Sequence, residues 1–230
     1  MNSHFKNITV QVVLVLLCLM AMPRTAMAKV STTLGSTFMV GPHAYEEIEL
    51  GTSLTNMMTS YASMASYTAY NWYRGSTTES NIYEAANGVG ESNSISFYIG
   101  HGAVRTVWRF EDHYDMATQN GDWVADDWIY PHSANHNLRF VCLWACHLGD
   151  KIGGTHFWSG AYGMPYCWLH TTDLSGDGYA SPDGKGYTFI GFSGITCWLY
   201  DDYFTEDETF LANASYYFLR HFYYATLYLG

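Results

Sequence analysis

Apolar runs separated by polar, glycine-rich turns recur along the chain and predict buried strands. Ser94–Ile99 and Leu138–Trp144 are the two clearest runs, and both are mostly apolar. Short apolar runs bounded by turns are typical of strands that are covered on both faces. The first run is followed closely by His101 and the second by Cys146. Because ligands of parallel sheets bind outside the carboxyl ends of the strands, these two exits are where we expect chemistry.

The remaining segments alternate between helical and extended patterns, which predicts an α/β fold. We expect a single domain with a mostly parallel sheet flanked by helices, and a terminal helix that packs on that sheet. Ala103–Asn137 is the least regular part, and we expect it to contain a crossover helix and a loop over the site. The other expected elements are strands at Thr37–Val40, Tyr67–Tyr73, Tyr166–Thr171 and Tyr187–Phe192, and helices at Ala44–Ser63, Asn81–Ala86 and Glu208–Tyr228.

The first 28 residues have the pattern of a secretory signal peptide. Ile8–Met22 is an almost unbroken apolar run, and Ala26-Met27-Ala28 provides small residues in an Ala-x-Ala cleavage pattern. A membrane-spanning helix needs about 20 apolar residues, so an uncleaved anchor is the less favoured alternative. We therefore expect a signal peptide at 1–28, one domain at 29–230, and a secreted or cell-surface location without a membrane anchor after cleavage.

The predicted mature chain is strongly acidic. It retains 8 basic residues against 21 acidic ones, for a formal net charge of −13, because Lys6 and Arg24 lie in the signal segment. A surface of this charge repels nucleic acid and anionic lipid, so neither is an expected partner. The same charge is also explained by solubility alone.

Four cysteines remain after the signal segment, and export would permit disulfides between them. Cys142 lies within a predicted strand and is expected to be a small core residue. Cys167 and Cys197 each precede Trp-Leu, and they form the best candidate disulfide, although two buried thiols explain them nearly as well. No spacing matches a Cys-x-x-Cys metal site.

Cys146 and His101 have the chemistry of a nucleophile and its base. A thiol with a pKa near 8.5 is only a few per cent ionised at neutral pH, so it needs a group that takes its proton. An imidazole supplies that base and later protonates the leaving amine, which contributes roughly 10²–10⁴-fold to the rate. The backbone N–H groups of Gly102 and Cys146 are candidate donors to an oxyanion. Each stretch alone is better explained as a simple turn or a buried thiol, but the pair at two strand exits favours function.

These residues resemble the catalytic blocks of the caspase-fold cysteine peptidases, the group that includes caspases, legumains, clostripain and gingipains. The resemblance lies in Tyr98-Ile-Gly-His-Gly102 and in Ala145-Cys-His-Leu-Gly-Asp150, and the second block is most similar to the gingipain branch. It implies a caspase-like fold, a catalytic dyad of His101 and Cys146, and Gly102 at the oxyanion site. Several branches place an acid two residues before the cysteine, whereas this chain has Trp144.

A loop late in the chain matches the first half of an EF-hand calcium loop. Its sequence begins Asp-Leu-Ser-Gly-Asp-Gly, but the twelfth position, which should be glutamate, is Gly184. A structural Ca²⁺ and an Asp/Gly-rich turn without metal are about equally supported, and no cofactor is expected for the chemistry. The candidate ligands are Asp173, Ser175, Asp177, Tyr179 and Asp183.

The function that the sequence favours is an exported cysteine endopeptidase that acts on protein or peptide substrates through a thioester acyl-enzyme. One alternative is a catalytically silent secreted binding module that kept the caspase fold. The other is a calcium-binding surface protein whose cysteine and histidine are structural.

Overall fold

The computed structural model describes residues 29–36, 43–107, 111–135, 137–149, 163–169, 188–192, 199 and 214–228. The strands are β1 Val30–Gly35, β2 Thr68–Tyr73, β3 Ser94–Ile99, β4 Gly102–Val107, β5 Glu111–Ala117, β6 Trp123–Ala125, β7 Leu138–Trp144 and β8 Thr188–Ile190. The α-helices are α1 Ala44–Met64, α2 Glu79–Ala86, α3 Asp126–Ile129, α4 Met164–Leu169 and α5 Ala214–Tyr228.

Five strands form one parallel sheet in the order β2-β1-β3-β7-β8. This arrangement confirms the expected α/β class with a mostly parallel sheet and is consistent with a single domain. The chain moves from β1 to β2 on one side and then to β3 on the other, so the strand order reverses between β1 and β3. In open α/β sheets the crevice outside the carboxyl ends at such a reversal is the usual ligand site.

β3 and β7 have the bounds that the apolar runs predict, and both strands lie in the middle of the sheet. Their side chains alternate between two cores. Phe97 and Ile99 lie in the core on the α1 and α5 face, whereas Tyr98 and Leu143 lie in the core on the opposite face. Burial on both faces explains why these strands lack a polar–apolar alternation in the sequence.

β1 is a central strand that the apolar pattern missed. The strand predicted at Thr37–Val40 lies outside the described residues. β1 has few apolar residues, yet all of its positions are buried. Its hydroxyl groups satisfy their hydrogen bonds inside the core: Thr32 Oγ1 donates to Ser96 Oγ at 2.9 Å, and Ser31 Oγ pairs with the Tyr223 hydroxyl. Because burial of a hydroxyl is costly only when it lacks a partner, such a strand gives no hydrophobic signal.

The helices predicted early in the chain are present. α1 differs from its predicted range by one residue at its end, and α2 begins after Thr78, whose hydroxyl accepts the Asn81 N–H as an N-cap. The terminal helix, described from Ala214 onward, packs on the sheet as predicted, with Tyr223 against Phe97 at 4.5 Å between ring centroids. No helix in the described part of the chain combines the length and apolar composition that crossing a membrane requires.

The segment predicted to hold a crossover helix and a loop is instead mainly a second sheet. β4, β5 and β6 pair antiparallel, and the short α3 and a 3₁₀ turn at Tyr130–His132 follow them before β7. Met116 and Val124 bury one face of this sheet in the core, while the charged side chains of His113 and Asp115 are buried on its other face. Buried charges disguise the alternation by which a half-exposed strand is ordinarily recognised.

The strand predicted at Tyr166–Thr171 is wrong in the part that the structure describes, because Met164–Leu169 is helix α4. All six of its residues are buried. A short helix that is apolar on every side has no 3.6-residue period, so its sequence cannot be told from that of a buried strand. Pro165 lies in its first turn, where a missing N–H is tolerated.

Candidate active site

The exits of β3 and β7 lie side by side at the carboxyl edge of the sheet. Ile99 is the register partner of Trp144, and the Gly100 N–H continues the ladder by donating to the Trp144 carbonyl at 3.2 Å. His101 and Cys146 each follow two residues after this last pair. Since neighbouring strands are about 4.8 Å apart, the register brings the two residues to the same level of adjacent chains.

Gly102 lies against the backbone of the turn that carries Cys146. A Cβ built on Gly102 would stand 2.1 Å from the Cys146 carbonyl oxygen and 2.8 Å from Leu148 Cγ. No side chain fits in that space, so this contact requires glycine. The two sequence blocks that bear the imidazole and the thiol are therefore in direct contact through their backbones.

The pairing of β4 with β5 orients the Gly102 amide. The Ala117 N–H donates to the His101 carbonyl at 3.1 Å, and Gly102 is the register partner of Met116. This hydrogen bond makes Gly102 and Met116 a non-hydrogen-bonded pair, in which N–H and C=O point away from the partner strand. The Gly102 N–H therefore points away from β5.

The turn after Cys146 contains an uncommon backbone conformation. His147 has φ of +61°, in the left-handed region that residues other than glycine seldom adopt. Two residues later, the Gly149 N–H donates to the Phe192 carbonyl at 2.9 Å, which ties the turn to the segment after β8. Left-handed residues outside glycine cluster at functional sites, where surrounding contacts hold them in place.

The thiols differ in burial, and burial of the thiols and of the His101 imidazole changes their pKa values and therefore their reactivity. Cys142 and Cys167 are free and fully buried, and burial raises the pKa of Cys142 to about 12 and that of Cys167 well above its usual value. Cys146 is only partly buried. Burial lowers the pKa of His101, so the neutral imidazole that accepts a proton is the main form at neutral pH.

Several predicted site residues lie outside the described part of the chain. These include the whole candidate calcium loop, with Asp173, Ser175, Asp177, Tyr179 and Asp183, and also Cys197 of the candidate disulfide. The calcium site stays a prediction. Cys167, the other member of the candidate disulfide, has a free thiol.

A buried charged cluster near the second sheet was missed by sequence reasoning. His113 Nδ1 lies 2.8 Å from Asp126 Oδ1 and 3.6 Å from Asp127 Oδ1. Asp126 Oδ2 also accepts the Gly163 N–H at 2.6 Å, which ties the residue before α4 to the start of α3. Sequence separation of these residues gives no motif, because only the antiparallel pairing of β5 and β6 brings them together.

The donor set of this cluster has the composition of a cation site, since one nitrogen and two carboxylate oxygens lie within 4.8 Å of one another. Its hydrogen bonding favours an ion pair instead. Asp126 accepts bonds from His113 and from the N–H groups of Asp127 and Gly163. A metal ion would have to displace the His113 proton that these contacts stabilise.

The cluster predicts a pH dependence of stability. The hydrogen bond to Asp126 raises the pKa of His113, and the charges of Asp127 and of Asp115, itself paired with Arg105, raise it further. A raised histidine pKa stabilises the fold fully below the unfolded value of about 6.5, and this contribution is lost as the pH rises through the folded pKa. His113→Gln should therefore flatten the decline of the melting temperature above about pH 6.5. If the melting temperatures of the wild type and the variant change with pH in parallel, this prediction is wrong.

Comparisons with known proteins leave the family of this chain open. No family model matches the sequence, and no curated protein matches it. Among solved structures, the crystal structure of protein GSU0716 from Geobacter sulfurreducens is similar, with a TM-score of 0.40 and 16% identity. The similarity covers 54% of this chain and 52% of the Geobacter chain, so it spans about half the length of each.

Proposed function

We propose that the protein is an exported cysteine endopeptidase of caspase-like fold in which Cys146 and His101 form the catalytic dyad. The observation that carries the proposal is the contact between the two blocks, in which Gly102 lies against the Cys146 carbonyl at the carboxyl edge of the sheet. The resemblance of the same two blocks to the gingipain branch supports the same roles.

In the proposed reaction, His101 accepts the proton of the Cys146 thiol, and the sulfur attacks the carbonyl carbon of the scissile peptide bond. The Gly102 N–H, which points away from β5, donates to the resulting oxyanion, and such a donor is worth on the order of 10²–10³ in kcat. The C–N bond then breaks, His101 protonates the departing amine, and a thioester remains on Cys146. Water, deprotonated by His101, hydrolyses the thioester and restores the thiol.

Export through the segment at 1–28 is part of the proposal. Cleavage after Ala28 would leave the whole of β1, since the ladder with β2 begins where the Thr68 N–H donates to the Lys29 carbonyl at 2.8 Å. A cut several residues later would remove part of a central strand. The predicted cleavage site after Ala28 is thus compatible with a mature domain that keeps this central strand.

The direct test is digestion of a peptide mixture by the protein exported from cells that express the full-length sequence. Mass spectrometry of the products should show internal cleavage at a restricted set of peptide bonds. Cleavage that is absent with the wild type, while a thiol probe still labels Cys146, would favour a silent binding module instead.

The residue before the cleaved bond, P1, gives a second prediction. Asp115 already holds Arg105, whose Nε donates to Oδ2 at 2.7 Å, and an aspartate-selecting pocket needs arginines available in fork geometry. The acidic charge of the chain disfavours an acidic substrate further. We expect cleavage after Asp to be slowest, and Arg or Lys to be tolerated with a modest preference. Acids that are candidates to accept a basic side chain are Glu46, Glu47, Glu49, Asp150, Asp201 and Asp202.

A fluorogenic panel that varies only P1 measures this preference. The matched pair is Asp against Asn, which have the same shape and differ in charge. Fastest cleavage after Asp would overturn the prediction.

A further inference from the structure

Tyr98 is a fully buried tyrosine whose hydroxyl reaches the backbone beside the proposed dyad. Its side chain belongs to the core opposite α1 and α5, and it has no exposed surface. The hydroxyl lies 2.8 Å from the His101 carbonyl oxygen and 2.9 Å from the Ala117 carbonyl oxygen. Its single proton is donated to one carbonyl or shared between the two. Burial raises the pKa of this phenol, so it stays a donor across the working pH range.

The His101 carbonyl is therefore approached by two donors, the Tyr98 hydroxyl and the Ala117 N–H. This carbonyl belongs to the same peptide unit as the Gly102 N–H. In a trans peptide the C=O and the N–H point in opposite directions, and the described residues contain no cis peptide bond. Contacts that fix the carbonyl toward β5 therefore also fix the Gly102 N–H on the side away from β5.

We infer that Tyr98 is a positioning residue that holds the His101–Gly102 peptide with its N–H directed at the oxyanion site. This inference rests on the proposed function, because it assigns the oxyanion donor of that reaction. Without the Tyr98 hydroxyl, the carbonyl loses one of the two donors described above, and the peptide has more freedom to rotate. An oxyanion donor acts mainly in the transition state, so a loosened donor lowers kcat more than it changes KM.

The glycine between Tyr98 and His101 agrees with this role. A Cβ on Gly100 would stand 2.7 Å from the Tyr98 hydroxyl oxygen and 2.9 Å from the Ser36 backbone nitrogen. Because position 100 has no side chain, the Tyr98 hydroxyl has room to reach the His101 carbonyl oxygen. Gly100→Ala would place a methyl group against the Tyr98 hydroxyl and should therefore disturb its hydrogen bond to the His101 carbonyl.

The first test compares Tyr98→Phe with Tyr223→Phe. Tyr223 is also fully buried, and its hydroxyl bonds to Ser31 near the amino end of β1, away from the site. Both variants remove one buried hydroxyl and should lower the melting temperature similarly. Only Tyr98→Phe should lower kcat, by roughly tenfold or more, with KM nearly unchanged. A wild-type kcat in folded Tyr98→Phe, or equal losses in both variants, would overturn the inference.

A second readout does not depend on hydrolysis. In ¹⁵N–¹H spectra of labelled protein, the Gly102 amide resonance should shift in Tyr98→Phe and in Gly100→Ala but stay in place in Tyr223→Phe. If peptides are not cleaved by the wild type, the proposed function fails, and a shifted Gly102 amide still supports the positioning by Tyr98. If the wild type cleaves peptides but the amide and kcat are unchanged in both Tyr98→Phe and Gly100→Ala, the inference fails and the proposed function stands.

Discussion

Cys146→Ala is expected to reduce peptide hydrolysis by a factor on the order of 10⁴ or more, because no other described thiol is placed to form the thioester. His101→Ala should produce a loss of comparable size, since the thiol then lacks its base. Residues that act as one unit are not additive, so the double variant should be about as inactive as either single one. The rate of hydrolysis of one fluorogenic peptide, with melting curves to confirm folding, measures all three.

Two control variants make this result specific. Cys142→Ala removes a thiol four residues earlier, within β7, where burial keeps it protonated, and its activity per folded molecule should be unchanged. His132→Ala removes an exposed imidazole that stacks on Tyr83 and should also leave hydrolysis intact. Full activity in folded Cys146→Ala would show that Cys146 is not the catalytic nucleophile.

Gly102→Ala is expected to have the second largest effect. Its Cβ would lie 2.1 Å from the Cys146 carbonyl oxygen, which is backbone and cannot move aside as a flexible side chain does. Either β4 or the Cys146 turn must shift, and the proposed oxyanion donor shifts with it. We expect kcat to fall by on the order of 10²-fold, together with a lower melting temperature.

Gly51→Ala is the matched control for the cost of overpacking. A Cβ there would also lie 2.1 Å from its neighbour, but that neighbour is the hydroxyl oxygen of Tyr73 on the edge strand β2, which β1 separates from β3. It should lower stability while hydrolysis per folded molecule remains near the wild-type value. Equal losses of activity in both variants would show that the Gly102 effect is general destabilisation.

The sequence predicts the middle of the sheet well because burial on both faces makes β3 and β7 mostly apolar, and such runs are visible in the sequence. It does not predict β1, where Ser31 and Thr32 replace apolar residues and are satisfied by hydrogen bonds to distant groups. α4 fails for a related reason, since a short element that is apolar on all sides has no period to detect. Pattern reasoning succeeds where burial depends on residue type and fails where it depends on tertiary partners.

The residues of the candidate site show the same difference between local patterns and tertiary partners. His101 and Cys146 are recognisable because each lies just after a strong local pattern, and their adjacency follows from the strand order. The hydrogen bonds of Tyr98 and Asp126 are not recognisable, because a tyrosine in a strand and an aspartate at a helix start are ordinary locally. Only the packing of β5 against the β3 exit and the pairing of β5 with β6 give them partners.

The most direct test of the central claim is the pH dependence of Cys146 alkylation by iodoacetamide, followed by mass spectrometry, in the wild type and in His101→Ala. If His101 accepts the thiol proton, Cys146 in the wild type should react about tenfold faster or more near pH 7, where an unassisted thiol is only a few per cent ionised. Cys142 and Cys167 should remain unlabelled in both proteins. The same rate and the same pH profile for Cys146 in the two proteins would contradict the proposed dyad.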